Sequence, residues 1–101
     1  MLITMTEKLY EQMYESIGDR MEYRERTKAD TWAKVFMIFG KYSRDNRIEV
    51  AGYHDEIYAG PSDPIIPMGS DSGDWEIEQE DAEYLISADW VFGEYGWKKY
   101  T

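Results

Sequence analysis

The residues best able to do chemistry in this chain are carboxylates. His54, Asp55 and Glu56 stand in a row, and acids crowd the stretch DSGDWEIEQED from Asp71 to Asp81. A histidine beside acids is the start of a metal site or a general base. A strand, however, sends successive side chains to opposite faces, so three adjacent residues cannot converge on one ion. A polar hairpin turn is the simpler reading of HDE. With one His and no Cys in the chain, a zinc site would rest on carboxylates, an uncommon ligand set. A calcium loop of EF-hand type fails as well: counted from Asp71, Gly73 falls at position three rather than six, and Ala82 stands at position twelve, where Glu is required. What remains there is a weak, nonspecific divalent contact. No phosphate loop, dinucleotide fingerprint or G-x-S-x-G elbow is present, and the six serines fall in no recognisable triad. No catalytic residue, resident metal or cofactor is expected. A small metal-assisted hydrolase stays as a distant alternative.

The acids carry a different message through their distribution. The net charge is -10, yet residues 1–47 hold nine bases against eight acids and are nearly neutral. Residues 48–97 hold thirteen acids and no Lys or Arg; Lys98 and Lys99 follow. Such a field repels nucleic acid and membrane surfaces and attracts basic partners. Solubility alone would also favour it. The basic cluster Arg20, Arg24, Arg26, Lys28 is interleaved with Asp19, Glu22 and Glu25, which on a helix pair with it at three- and four-residue steps. Direct nucleic-acid binding is therefore not expected. The longest apolar run, Val35 to Phe39, is far short of a membrane span. The N-terminus lacks a signal core, and the chain is read as cytoplasmic.

The elements that must carry these acids follow from periodicity. The aromatic content of 16% gives a chain of 101 residues enough large rings for one core, and a single domain over 1–101 is expected. Thr4 and Glu7 have capping-box spacing, and Leu9, Tyr10, Met13, Tyr14, Ile17 and Met21 recur as one helical face. Residues 22–28 read as a charged helix end or connector. Asp30 is a candidate cap for a second helix with Trp32, Val35, Phe36 and Phe39 inward and Gly40 just past its end. Ile48, Val50 and Tyr53 predict a strand, His54-Asp55 its turn, and Ile57 to Ala59 the returning strand. Residues 61–74 hold all three prolines and suit no regular element; Ile65, Ile66 and Met68 form an apolar island that either tucks onto the core or meets a partner. Trp75 and Ile77 predict another strand, Glu78 to Ala88 a short helix with Ala82, Leu85 and Ile86 inward, and Trp90 to Tyr100 a terminal hairpin. The expected fold class is α+β: two N-terminal helices, an antiparallel β-hairpin, a short helix and a C-terminal β-hairpin in two layers. An open strand edge is expected to remain.

The second half also resembles small acidic accessory proteins of tailed bacteriophages. The residues that carry the resemblance are His54, Asp55, Ile57, Tyr58, Ala59, Gly60 and Pro61, then Glu80, Asp81, Leu85, Trp90, Glu94, Tyr95 and Trp97. It covers about residues 48–101. This chain departs from the pattern at Asp89, where Gly is usual, and in the inserted IIPMGSDSG. The resemblance implies a mobile-element origin and, by analogy, an inhibitor of a host defence or nucleic-acid enzyme, of the anti-restriction or anti-CRISPR kind.

Together these readings give one expectation. The acidic half is a nucleic-acid mimic that binds and blocks a basic, nucleic-acid-handling host protein. Its carboxylates stand where phosphates would. The expected contacts are Asp55, Glu56, Asp71, Asp74, Glu76, Glu78, Glu80, Asp81 and Glu83 on one continuous face. Trp75, Ile77, Tyr84 and Trp90 are expected beside them as apolar anchors. The alternative is a homo-oligomeric structural or accessory protein joined through the strand edge or the Ile65–Met68 island.

Overall fold

The computed structural model describes residues 1–18, 20–66 and 75–101. The chain opens with a strand, β1 (Leu2–Met5), which the sequence does not announce and which contains Thr4, the expected helix cap. Helix α1 (Glu7–Ile17) therefore starts later, and its cap is Thr6 rather than Thr4: the Thr6 hydroxyl accepts the Leu9 N–H at 3.0 Å. Gly18, at φ 59°, ends it. One turn of helix, α2 (Tyr23–Arg26), occupies the charged connector.

Helix α3 (Ala29–Lys41) buries Val35, Ile38 and Phe39, with Trp32 and Phe36 partly buried against the core. Asp30 does not cap it. The cap residue is Lys28, and Asp30 lies in the first turn, where a carboxylate still meets the positive end of the helix dipole. Gly40 lies inside the helix rather than beyond it. A Cβ there would stand 2.5 Å from Asn46 Oδ1, so the glycine serves a close approach and not a helix end.

Strands β2 (Ile48–Tyr53) and β3 (Glu56–Pro61) form the expected hairpin, with His54 at φ 55° as the first of its two turn residues. Strand β4 (Trp75–Glu78) pairs antiparallel with β1 and leads directly into α4 (Gln79–Ser87). Strands β5 (Val91–Gly93) and β6 (Gly96–Tyr100) make the terminal hairpin. The result is an α+β fold with, among the described residues, two antiparallel sheets, β1-β4 and β2-β3-β6-β5.

Alternation in the larger sheet sorts its faces. Ala59, Phe92 and Trp97 are buried on the face that meets the helices, so Glu56, Tyr58, Lys98 and Tyr100 look the other way. The core is a chain of edge-to-face rings: Phe39 lies 5.5 Å from Trp90 and 6.3 Å from Trp75, and Phe92 lies 5.2 Å from Trp97. Gly60 and Gly96 leave room for Trp75; a Cβ on Gly60 would stand 2.9 Å from its Cη2. Of the apolar island, Ile66 packs on the core and Ile65 is exposed, while Met68 lies outside the described residues. Among the described residues no helix is long and apolar enough to cross a membrane.

Candidate functional site

Helix α4 positions the acids differently on each of its faces. Ala82, Leu85 and Ile86 are buried, as the spacing requires. Glu80, Glu83, Tyr84 and Ser87 recur at three- and four-residue steps on another face. That face forms one wall of a groove of about 470 Å³. The end of α1 and the connector through α2 form the other wall, with Ile17, Arg20, Met21, Glu22 and Glu25. Ile17, Met21 and Tyr84 supply an apolar floor, each partly buried against the core. Four carboxylates, Glu22, Glu25, Glu80 and Glu83, stand around it against one guanidinium, Arg20.

These carboxylates are open to a ligand to different degrees. Glu25 is engaged by Lys28 at 3.1 Å, and both side chains are about half exposed, so the pair is weak. Glu22, Glu80 and Glu83 have no ion-pair partner among the described residues. One face of the Tyr84 ring already carries a cation, Lys34 Nζ at 4.3 Å from its centroid. Chemically, the groove is suited to a ligand with an apolar body and positive charge.

The other expected contacts lie elsewhere. Asp55 is at the tip of the β2-β3 hairpin, where its carbonyl accepts the Thr101 N–H at 2.7 Å. Glu56 lies on the sheet face away from the helices, neutralised in place. The Tyr58 hydroxyl donates to it at 2.6 Å and Lys98 stands at 3.5 Å. Both hold its carboxyl below the usual range, the Tyr58 hydrogen bond most of all. Glu78 meets the Met1 amino group at 3.0 Å. Asp81 accepts from the Tyr42 hydroxyl and pairs with Lys41. Tyr42 also accepts the Glu78 N–H at 2.9 Å, and burial together with Asp81 pushes its pKa well up. Glu76 stands opposite Thr4 in the small sheet. Asp71 and Asp74 lie outside the described residues.

The seven described acids of the expected set therefore do not form one continuous face. Long-range partners from the helical half and from β6 compensate Glu56 and Asp81. Alternation turns Glu56 away from the helical layer that carries Glu80 and Glu83. Of the expected anchors, Trp75, Ile77 and Trp90 are buried in the core and only Tyr84 reaches the surface. Glu22 and Glu25, which the sequence pairs with their own basic neighbours, are what the fold adds to the groove.

Among the described residues no group of three or more His, Asp or Glu is placed to hold a metal ion. His54 rests against the Tyr53 ring, 4.3 Å between centroids. Fold and site thus define an α+β protein with an acid-rimmed apolar groove. Set against protein-family models, curated proteins and solved structures, the chain matches none of them.

Proposed function

We propose that the protein is a non-enzymatic interaction module that binds and blocks a basic, nucleic-acid-handling protein, a reading reached by analogy from the acidic phage accessory proteins its second half resembles. The contact surface is narrower than the sequence suggests. It is the groove between α4 and the α1–α2 connector, with Glu22, Glu80 and Glu83 as the charged contacts and Ile17, Met21 and Tyr84 as the floor. One observation carries this reading: Glu22 and Glu25 from the helical half and Glu80 and Glu83 from α4 converge around an apolar floor, with Arg20 the one cation in the described lining and Lys28 and Lys34 beside it. A basic segment with one or two apolar side chains would desolvate that floor while its cations meet the rim. Steering by the overall charge of -10 would speed the encounter.

The test uses immobilised wild-type protein and the variant E22K/E80K/E83K in low-salt bacterial lysate. The expected partner is retained by the wild type, lost by the variant, and displaced from its own nucleic acid by the wild-type protein. Retention that survives the charge reversal contradicts the reading.

A second reading is supported by strand β2. It is one edge of the larger sheet, and every residue from Glu49 to Tyr53 is exposed, Val50 and Tyr53 among them. An edge of this kind can pair with a second copy. Light scattering after size exclusion distinguishes the two: a dimer stable at high salt, and lost on Val50→Lys, favours assembly.

A further inference from the structure

A strand at the rim of a sheet is ordinarily protected by shortness, a bulge, a proline, a lysine or a covering element. The larger sheet protects its two rims unequally. Strand β5 has three residues, and α1 packs against it. Strand β2 has six, pairs with β3 without a break from Ile48↔Pro61 to Tyr53↔Glu56, and contains no Pro, Lys or Arg. Its one charge is Glu49. Val50 lies on the face that meets the helices, opposite Ala59, yet it is 54% exposed. The helical layer stops short of this strand and leaves room beside it.

The backbone sets what the rim can pair with. The Arg47 carbonyl accepts the Ser62 N–H at 2.9 Å. In phase with it, Glu49, Ala51 and Tyr53 direct their backbone groups to β3, and those of Ile48, Val50 and Gly52 point to the open side. Extended chain is bounded by Asn46 at φ 60° and His54 at φ 55°. The stretch between them, 47–53, has Val50 at its midpoint, and Val50 is one of the outward-facing residues. An antiparallel copy in full overlap places Val50 against Val50 in a hydrogen-bonded pair. Ile48 then meets Gly52, Glu49 meets Ala51 and Arg47 meets Tyr53. No like charges stand directly opposite, and a guanidinium faces a ring. Arg47 is held by Asp45 at 3.2 Å in an exposed and weak pair, so it is free to turn to that ring. A register slipped by two residues one way sets Glu49 against Glu49. Slipped the other way, the overlap shrinks to 49–53 and Arg47 loses its ring.

We propose that β2 is a self-complementary edge that joins two copies of this chain about a two-fold axis at Val50, making one continuous sheet with four strands from each copy. This rests on the assembly reading of the edge and adds its register. A single strand pair is smaller than a standard interface of about 1,600 Å², and each copy carries a charge of -10. The dimer is therefore reversible and tightens as salt screens the mutual repulsion. The groove and its partner have the opposite salt dependence.

Analytical ultracentrifugation of the full chain, over a range of concentration and salt, reads the association. A concentration-dependent dimer, tighter at high salt, is expected. Val50→Lys should abolish it with the fold retained in thermal denaturation. Glu49→Gln should tighten it by up to about fivefold, because the two carboxylates lie diagonally across the axis. The chain has no cysteine, so disulfide formation in single-cysteine variants reads the register. Two copies of Val50→Cys would have Cα atoms about 5.5 Å apart, inside the bridging range of about 4.4–6.8 Å. Two copies of Ala51→Cys would lie on a diagonal of about 7–8 Å, outside it. Val50→Cys should form the covalent dimer faster, and this comparison stands even if the lysine variant does not fold. Faster bridging through Ala51→Cys overturns the register and leaves the assembly reading standing. A monomer at every concentration and salt, or a dimer that Val50→Lys leaves intact, overturns both.

Discussion

Asp81 and Glu80 are neighbours on α4, and the fold uses them in opposite ways. Asp81 turns toward α3, where Lys41 and the Tyr42 hydroxyl hold it, and only 14% of its side chain is exposed. Glu80 turns toward the groove, where it is exposed and no cation meets it among the described residues. One carboxylate ties elements together; the other is available to a partner. A count of acids in the sequence treats the two alike. Helical geometry and a base forty residues upstream separate them.

That contrast on one helix ranks the expected effects of substitution. Leu85→Ala, on the fully buried face, should cost about 2–5 kcal/mol, read as a fall in denaturation midpoint. Asp81→Ala should cost about 1–3 kcal/mol, because the Tyr42 hydroxyl loses its acceptor. For a domain of this size each kcal/mol lowers Tm by about 4–8 °C. Partner binding should survive once the protein is folded. Glu80→Gln with Glu83→Gln should change stability by no more than about 0.5 kcal/mol while weakening binding. If the last pair unfolds the protein, or the Asp81 variant alone loses the partner, the division of roles on α4 is wrong.

Titration sharpens the comparison further. Tyr42 has a raised folded pKa, so its contribution is complete below the unfolded value of about 10. It is lost as pH rises through the folded one. Tyr42→Phe should flatten that alkaline loss in a pH series of denaturation midpoints. Glu56 has the opposite sign. Its folded pKa is lowered, so its contribution is present above about pH 4.3 and lost as pH falls through the folded value. Glu56 is partly exposed, so this is the smallest effect, seen as a slightly flatter acid limb in Glu56→Gln.

Much of the fold is legible in the sequence because its signals are local. The His54-Asp55 turn, the Gly93–Gly96 turn and the inward triplet Ala82, Leu85, Ile86 each declare themselves within a few residues. Strand β1 does not, because its partner β4 is some seventy residues away and LITM runs on into a helical pattern. The roles of Thr6 and Gly40 were displaced for related reasons: a second threonine two residues off, and an approach by Asn46 that only the folded chain makes. The site is less legible than the fold. Ion pairs such as Lys41–Asp81 and Lys98–Glu56 join residues far apart in sequence. The groove exists only because Met21, Glu22 and Glu25 come to lie against α4.

The central claim is that the groove carboxylates, and not the acidic half as a whole, hold the partner. The affinity of the retained partner for wild-type protein and for E22Q/E80Q/E83Q, followed from about 50 mM to about 500 mM salt, tests it most directly. A steep fall for the wild type is expected, with a weaker, shallower profile for the variant. Equal affinities with equal salt slopes would contradict it.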